Sequence, residues 1–404
     1  MMTELSAGFL PLTDSAVLIA AKERGFAEAE GIALNLVRET SWANVRDKLA
    51  VGQFEVSHAL APMPIAANLG LTPFDTRLIA PMALGLGGNA ITVSNALLAQ
   101  MQQHADLSGL DARAAGQALA DVVMAGKSSG KKVLQFGVVH PFSGHNFELR
   151  YWIGASGITP DRDIEIVILP PSLMADALAS GQIDGYCVGE PWNTVGVAEG
   201  AGRIITTKSS IWASSPEKVL AVRQDWADEN MQTLHALLRA LYRSAEWCGQ
   251  SSNQNELASL LSLPAYLGQP ADVILPALDG SIFGSSASGK ARDFFQPHAR
   301  AATFPWQSHA LWFYSQMVRC GYVEHTAVNA EIARQSYRPD IYRTVMTSVG
   351  VPVPSANSKV EGALTRTTAV GVSSQSLYLG PDGFFDGAIF DPDQLDVYIA
   401  SQSA

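Results

Sequence analysis

The segment LSAGFLPLTDSAVLIAAKERGF, residues 5–26, carries the pattern that decides the fold. Residues 5–12 form a short apolar run, which predicts a strand. Thr13 or Asp14 then supplies a polar cap for a helix that extends to about Arg24. Gly25 follows where helices commonly end in a left-handed residue. A strand that turns directly into a helix is the building unit of α/β folds.

The same unit recurs along the chain in two series. The alternation of short apolar runs with helical patterns predicts parallel sheets covered by helices on both faces. In the first series the predicted strands are 33–38, 54–60, 77–85 and 89–95, and the helices are a segment capped by Ser41 and 62–71. Two helices are predicted within 95–130. The second series has strands 131–139, 164–170, 184–193 (leading into a loop) and 202–207, and helices 143–157 and 172–182.

Two α/β series predict an α/β protein of two lobes that bind a ligand in the cleft between them, at the carboxyl ends of strands. The chain is expected to cross between lobes near residue 93 and to return near residue 220. Residues 231–262 are predicted to be helical, and 265–350 to hold helices broken at Pro270, Pro276 and Pro305. The predicted organisation is lobe I, 1–93 and 221–350; lobe II, 94–220; and a wrapping C-terminal tail, 351–404.

Composition excludes several classes of protein. The 404 residues are 47% apolar and 16% charged, which excludes disorder for most of the chain, and no apolar run approaches membrane-spanning length. The net charge of −11 argues against direct nucleic-acid binding. Three scattered cysteines, Cys187, Cys248 and Cys320, fit a reducing compartment. The N-terminus lacks a basic region and a continuous apolar stretch, so we expect no secretory signal and a cytoplasmic location.

Searches for catalytic motifs give no match. The sequence has no Walker A motif, no HExxH, no GxSxG and no EF-hand loop, so we expect neither an enzyme nor a metal or cofactor. His145, Glu190 and Cys187 are a conceivable nucleophilic triad. However, Cys187 lies in the apolar run DGYCVG, which favours a buried, unreactive thiol.

Seven segments, in this order and spacing, resemble the nitrate/bicarbonate-binding family of ABC-transporter substrate-binding proteins. They are PLTDSAVLIAAKERGF (11–26), SWANVRDKLAVG (41–52), HALAPMPIAANLG (58–70), GGNAITVS (87–94), GHNFELRYWIGASGI (144–158), DGYCVGEPWN (184–193) and IWASSPEKVLAV (211–222). RPDIYR (338–343) and DGFFDGAIFDP (382–392) are similar to the cytoplasmic, NasS-type nitrate/nitrite sensor branch. The resemblance implies a type II periplasmic-binding-protein fold. It also implies a partner, an ANTAR-domain RNA-binding antiterminator that is released when the anion binds.

The resemblance also implies which residues hold the anion. Nitrate is small, planar and monovalent, so its site needs one positive charge, a few N–H donors and a flat surface. Lys218 in SPEK is expected to supply the charge. His145, at the start of a predicted helix, is expected to add a donor beside the positive end of the helix dipole. Trp42 is expected to form a flat wall.

Five further residues complete the predicted set. Asn89 is expected to offer its amide, although the transporter relatives tend to carry Gln there. Glu190 either pairs with Lys218 or His145 and orients them, or forms a structural salt bridge. Thr92, Gly144 and Trp192 are weaker candidates for donors and for the rim of the cleft.

The function expected from these residues is a nitrate/nitrite sensor that sequesters the antiterminator. Bicarbonate binders of the family rely on an acidic residue and calcium, so Lys218 favours nitrate or nitrite. Three alternatives stay open: a transporter component, a binder of another small anion such as bicarbonate or a sulfonate, and a thiamine-precursor enzyme. The sequence leaves open the choice between nitrate and nitrite, the partner surface and stoichiometry, and the role of the tail.

Overall fold

The computed structural model describes residues 2–130, 132–282, 291, 293–370 and 377–402. Lys131, which begins one predicted strand, and residues 371–376 and 403–404 of the predicted tail lie outside the described residues. The strands are β1 Thr3–Phe9, β2 Ile32–Arg38, β3 Val56–Leu60, β4 Leu78–Ala83, β5 Leu86–Gly87, β6 Asn89–Ser94, β7 Leu134–Val138, β8 Ile164–Ile168, β9 Gly185–Gly189, β10 Gly202–Thr207, β11 Lys218–Arg223, β12 Phe295–Gln296, β13 Thr368–Val370 and β14 Leu377–Leu379.

Helices pack against two five-stranded sheets. Short 3₁₀ helices cover Thr13–Ser15, Pro171–Leu173, Ser251–Asn253 and Pro392–Gln394. The α-helices are α1 Ala16–Glu23, α2 Phe26–Ala29, α3 Trp42–Ala50, α4 Met63–Asn68, α5 Asn95–Met101, α6 Ala112–Ser128, α7 Gly144–Ala155, α8 Met174–Ala179, α9 Trp192–Ala198, α10 Lys208–Ile211, α11 Gln224–Glu229, α12 Met231–Cys248, α13 Gln254–Leu261, α14 Ala271–Asp279, α15 Gln307–Arg319, α16 Ala327–Gln335, α17 Pro339–Ser348 and α18 Leu395–Ser401.

Both large sheets are mixed, whereas the sequence pattern predicted parallel ones. The first has the order β2-β1-β3-β11-β4, with β1, β2 and β3 parallel and β11 antiparallel to both its neighbours. The second has the order β10-β6-β9-β7-β8, with β6 antiparallel to β9 and β10. The antiparallel strands β6 and β11 each enter their sheet from the other lobe rather than through a helical crossover, so the βαβ rule does not fix their direction.

The strand order places the crossings between lobes. The chain leaves the first sheet after β4 and enters the second with β6, so the first crossing precedes Asn89, earlier than the predicted boundary at residue 93. It returns with β11, which begins at Lys218, slightly before the predicted boundary at 220/221. We call residues 84–88 and 208–217 the crossing segments.

Local sequence signals specify several helix ends as predicted. The Ser41 side chain accepts the Asn44 N–H at the start of α3, and Gly25 ends the first helical segment with φ 72°. Three local predictions were wrong. Pro276 lies inside α14 instead of breaking it, a helix rather than a loop follows β9 from Trp192, and neither Thr13 nor Asp14 caps α1, because the cap residue is Ser15.

Helix α15 and the tail connect the lobes. Although α15 falls in the segment predicted for lobe I, Phe313 and Trp312 pack on Phe147 and Tyr151 of α7, with ring centroids 6.3 and 5.9 Å apart. In the tail, the ring of Phe384 stacks on Trp212 at 4.6 Å. The described tail residues therefore brace the second crossing segment. Across the described ranges, no helix combines the length and apolarity that a membrane span requires.

Candidate functional site

The candidate site lies where the lobes touch. The Thr13 N–H, in the turn after β1, donates to the Glu190 carbonyl oxygen at 2.7 Å, and the Glu190 N–H donates to the Gly88 carbonyl oxygen at 3.1 Å. These bonds close one side of the cleft, and the side chains behind them are shielded from solvent. All eight predicted site residues are buried: Trp42, Asn89, Thr92, Gly144, His145, Glu190, Trp192 and Lys218.

Lys218 begins β11 and is 1% exposed. Its Nζ donates to Oδ2 of Asp14 and to Oε1 of Glu217, each at 2.7 Å, and lies 5.3 Å from the ring centroid of Trp42. Burial lowers the pKa of Lys218, but Asp14 and Glu217 outweigh it, and the net shift is upward. Lys218 is therefore a fully charged ammonium at the lobe contact, as a cation for a small anion must be.

Glu217, which the sequence analysis did not select, lies at the centre of the site. Its Oε2 accepts from Nδ2 of Asn89 at 2.7 Å and contacts the ammonium group of Lys208, while Oε1 lies 3.4 Å from Nδ1 of His145. Burial raises the pKa of Glu217, but His145, Lys208 and Lys218 outweigh burial and hold it well below its usual range. Its carboxylate is thus ionised at neutral pH.

Lys208 is a second buried cation, 1% exposed, at the start of α10, directly after β10. In addition to Glu217, its Nζ contacts Oε1 of Glu148 at 2.6 Å and donates to the Pro216 carbonyl oxygen at 2.7 Å. Burial, with a contribution from Glu217, raises the pKa of Glu148 to about 7 against the opposing effect of Lys208. Glu148 can therefore gain or lose a proton near neutral pH.

His145 stands at the start of α7, where Ser143 caps the helix by accepting the Asn146 N–H at 3.0 Å. The imidazole is fully buried, and neither ring nitrogen has a hydrogen-bond partner among the residues described. Burial lowers the pKa of His145 to about 3, so the ring is neutral at pH 7. A neutral imidazole keeps one N–H that a ligand can use.

Asp14 pairs with Lys218 instead of capping a helix. Its Oδ1 also lies 2.9 Å from Nε2 of the buried His58. Burial raises the pKa of Asp14, but Lys218 and His58 outweigh it and lower the pKa to about 2. Asp14 was not among the predicted site residues, because a polar residue before a helix is usually a cap.

Two tryptophans line the same region. Trp42, 1% exposed, packs beside His58 with ring centroids 5.4 Å apart, and Trp192 is 7% exposed. Neither indole N–H has a hydrogen-bond partner within the described part of the chain. Buried N–H groups normally have partners, so these two are available to an acceptor.

Among the described residues, Glu190 pairs with neither Lys218 nor His145 and forms no salt bridge, so neither arrangement expected for it is seen. In the described residues its Oε2 accepts the Thr194 N–H at 3.1 Å, whereas the carboxylate of Glu217 bonds Lys218 and lies 3.4 Å from Nδ1 of His145. Burial raises the pKa of Glu190 to about 7, and hydrogen bonds from Thr194 only partly oppose this effect.

Replacing Glu190 with glutamine is expected to stabilise the protein at pH 8 but not at pH 4.5. The folded-state pKa of about 7 lies above the usual 4.5, so the contribution of Glu190 to stability is largest below pH 4.5 and is lost as pH rises through 7. The loss amounts to about 3 kcal/mol, and glutamine removes it. Urea unfolding at both pH values measures this difference. A stability difference independent of pH would show that Glu190 is not a buried, destabilising carboxylate.

Thr92 and Gly144 have distinct structural roles. Oγ1 of Thr92 donates to Oδ1 of Asn193 at 2.9 Å, so its hydroxyl proton is already used. At Gly144, a Cβ atom would collide with Oε2 of Glu217 and lie 3.3 Å from Nζ of Lys208. Only glycine therefore lets the start of α7 approach the carboxylate this closely.

The structure also gives evidence on two alternative chemistries, a cysteine nucleophile and a metal site. Burial raises the pKa of Cys187 well above its usual value, so its thiol stays protonated and does not serve as a nucleophile. Within the described residues, no group of three or more His, Cys, Asp or Glu side chains is arranged to hold a metal ion.

Comparisons with known proteins give consistent results. The model of the NMT1-like family matches residues 2–262. The nitrate/nitrite binding protein NrtA of Synechococcus elongatus is 31% identical over 406 residues, covering 97% of this chain and 84% of that protein. The crystal structure of the periplasmic nitrate-binding protein NrtA from Synechocystis PCC 6803 matches with a TM-score of 0.85 and 27% identity, covering 100% of this chain and 99% of that one.

A third relative is longer than this chain. The nitrate import ATP-binding protein NrtC of Synechocystis sp. is 34% identical over 354 residues, which are 86% of this chain but 50% of that protein. The chain thus spans half of NrtC and most of NrtA. With its two mixed sheets, it has the two-lobed fold of periplasmic binding proteins. It belongs to the NMT1-like family and, within it, to the nitrate/bicarbonate substrate-binding proteins that include NrtA.

Proposed function

We propose that the chain binds nitrate or nitrite between the lobes. The observation that carries the proposal is the convergence of Lys218, Asn89 and His145 on one buried point, marked by the carboxylate of Glu217. The relatives NrtA and NrtC carry nitrate in their names and are binding and import proteins, which agrees with a binding protein rather than an enzyme.

Each predicted residue has a role in this proposal. Lys218 supplies the positive charge, and Asn89 and His145 supply N–H donors. Gly144 brings the positive end of the α7 dipole close to the anion. Trp42 and Trp192 offer flat faces with free indole N–H groups, whereas Glu190 and Thr92 act only through the residues that they bond.

Affinity for so small a ligand is limited. Nitrate has four heavy atoms, and a ceiling of roughly −1.5 kcal/mol per atom gives about −6 kcal/mol, or tens of micromolar. The two buried lysines are matched by Asp14 and Glu217, so their positive charge is already balanced. An added anion therefore favours uptake of a proton by a nearby carboxylate.

Anion affinity is accordingly expected to rise severalfold between pH 8 and pH 6. Glu148, which pairs with Lys208 beside Glu217, has a pKa of about 7, and a bound anion raises it further. The complex then holds more protons than the free protein, so lower pH favours binding. Titration calorimetry in two buffers of different ionisation enthalpy measures the proton uptake. Equal affinity at both pH values, with no proton uptake, would contradict the prediction.

Titration calorimetry with nitrate, nitrite, and bicarbonate with and without calcium tests the proposed ligand. Binding of nitrate or nitrite that is insensitive to a calcium chelator supports the proposal. Binding of bicarbonate alone, and only with calcium, assigns the chain to the other ligand class of the family. Binding of none of these anions rejects the proposal and leaves only the fold.

We further propose that the chain is a cytoplasmic sensor that holds an ANTAR-domain RNA-binding antiterminator and releases it when the anion binds. The resemblance of residues 338–343 and 382–392 to the sensor branch supports this, and the net charge of −11 suits a basic partner. In the structure Phe384, which lies in 382–392, packs on Trp212 of the second crossing segment. A change at the anion site is therefore transmitted through this crossing segment to residues 382–392.

The thermodynamic linkage between anion binding and partner binding provides the test of the sensor proposal. If the anion releases the partner, the partner must weaken anion binding by the same factor. Calorimetric titration of nitrate with and without a purified ANTAR-domain antiterminator measures that factor. Equal affinity in both titrations would instead favour the alternative, a substrate-binding component of a nitrate, bicarbonate or sulfonate ABC transporter. The match to 84% of the length of NrtA favours this alternative.

A further inference from the structure

The carboxylate of Glu217 lies at the point on which the proposed anion-binding groups converge. Its two oxygens accept from Lys218 Nζ and Asn89 Nδ2, each at 2.7 Å, and one lies 3.4 Å from Nδ1 of His145. The same carboxylate presses against Gly144 at the start of α7 and contacts Lys208. The positive charge, the amide, the imidazole and the helix start therefore all surround one side chain of the protein itself.

A carboxylate has the features of the proposed ligand. Like nitrate and nitrite it is planar and monovalent, and its oxygens accept hydrogen bonds from the same kinds of donor. Nitrite matches it most closely, because both present two oxygens at an angle on one central atom. A side chain at hydrogen-bonding distance of these donors and a free anion cannot occupy the same point.

We infer that Glu217 is a built-in competitor of the anion: its carboxylate occupies the anion-binding point, and nitrate or nitrite binds by displacing it. This inference rests on the proposed function and specifies how that site is regulated. It accounts for a carboxylate at the centre of an anion site, which would otherwise oppose binding.

Glu217 also lies where displacement of its side chain affects the connection between the lobes. It is the last residue of the second crossing segment, and its carbonyl oxygen accepts the Ala61 N–H at 3.0 Å. In the same segment, the Ser215 carbonyl oxygen accepts the Gly87 N–H of the first crossing segment at 2.9 Å. Moving the Glu217 side chain therefore acts on the backbone that joins the two lobes.

The opposite role for Glu217 is to orient the lysines for the ligand. The two roles predict opposite effects of removing the carboxylate. Both lysines keep a partner in that case, Lys218 with Asp14 and Lys208 with Glu148, so the change leaves neither ammonium group unpaired.

The test is calorimetric titration of nitrate and nitrite into the wild type, Glu217→Gln and Glu217→Ala. A matched control is Glu361→Gln, because Glu361 is also a buried glutamate that pairs with a lysine, Lys359, and lies 3.4 Å from a histidine, His309. We expect both Glu217 variants to bind the anions at least about tenfold more tightly than the wild type, and the control to bind like the wild type.

Formate gives a second readout, the change in melting temperature, which is measurable even if a variant is less stable than the wild type. In Glu217→Ala, formate can replace the missing carboxylate, and we expect it to raise the melting temperature of this variant more than that of the wild type or control. Wild-type binding of nitrate or nitrite with equal or weaker binding by both variants would overturn the competitor role. Absence of anion binding by wild type and variants alike would reject the proposed function itself. Binding of the anions by the Glu217 variants but not by the wild type would support both the competitor role and the proposed function.

Discussion

Replacing Lys218 with methionine is expected to weaken nitrate and nitrite binding by about 100-fold or more, beyond what calorimetry detects. Lys218 is 1% exposed and its pKa is raised by Asp14 and Glu217. Methionine keeps the apolar stem but removes the charge that a buried anion requires. The loss also leaves Asp14 and Glu217 short of a partner, at a cost of about 3–5 kcal/mol in the free energy of unfolding.

The matched control is Lys22→Met. Lys22 is exposed on α1 and is expected to change neither binding nor stability measurably. Urea unfolding of each variant separates a lost ligand contact from a lost fold. A folded Lys218→Met protein that binds nitrate within threefold of the wild type would exclude Lys218 as the anion's positive charge.

Replacing Phe384 with alanine is expected to lower the free energy of unfolding by about 3–5 kcal/mol. The ring is 6% exposed and stacks on Trp212 at 4.6 Å, with Tyr151 at 5.5 Å and Trp312 at 6.2 Å. These partners come from the second crossing segment, α7 and α15. Removing the ring leaves a cavity where the tail packs on the second crossing segment.

Ile389→Ala serves as the control for Phe384→Ala, since Ile389 lies in the same tail but is 56% exposed. We expect it to change the free energy of unfolding by less than about 0.5 kcal/mol. Urea titration of the two variants measures both effects. Equal, small losses for both would mean that the tail contributes little to holding the lobes.

Local signals in the sequence predicted most helices and strands correctly because the residues that specify them are neighbours in the chain. Ser41 caps α3 as the pattern indicates. Pro276 shows where such signals fail. Although a proline inside a helix removes a backbone hydrogen bond, α14 continues through Pro276, its sixth residue, where the sequence pattern predicted a break.

The site was only partly predictable because its pairing is long-range. Lys218 and Asp14 are 204 positions apart, and Asn89 and Glu217 are 128 positions apart. Lys218, Asn89 and His145 were among the predicted site residues, but the carboxylates of Asp14 and Glu217 were not. Glu217 is adjacent to Lys218 in the chain, and an acid next to a proposed buried cation was the available signal.

The packing of α15 was not predictable for a different reason. A helical pattern does not specify which lobe its apolar face packs on, so α15 was assigned by chain order to lobe I. Its aromatic side chains instead pack on α7 of lobe II.

A crystal structure of the chain grown with nitrate, and another with nitrite, tests the central claim most directly. We predict a planar anion between the lobes within hydrogen-bond distance of Lys218 Nζ and Asn89 Nδ2, with the Glu217 carboxylate moved away from both. An anion bound elsewhere on the protein, with the bonds from Lys218 and Asn89 to Glu217 retained, would contradict the account.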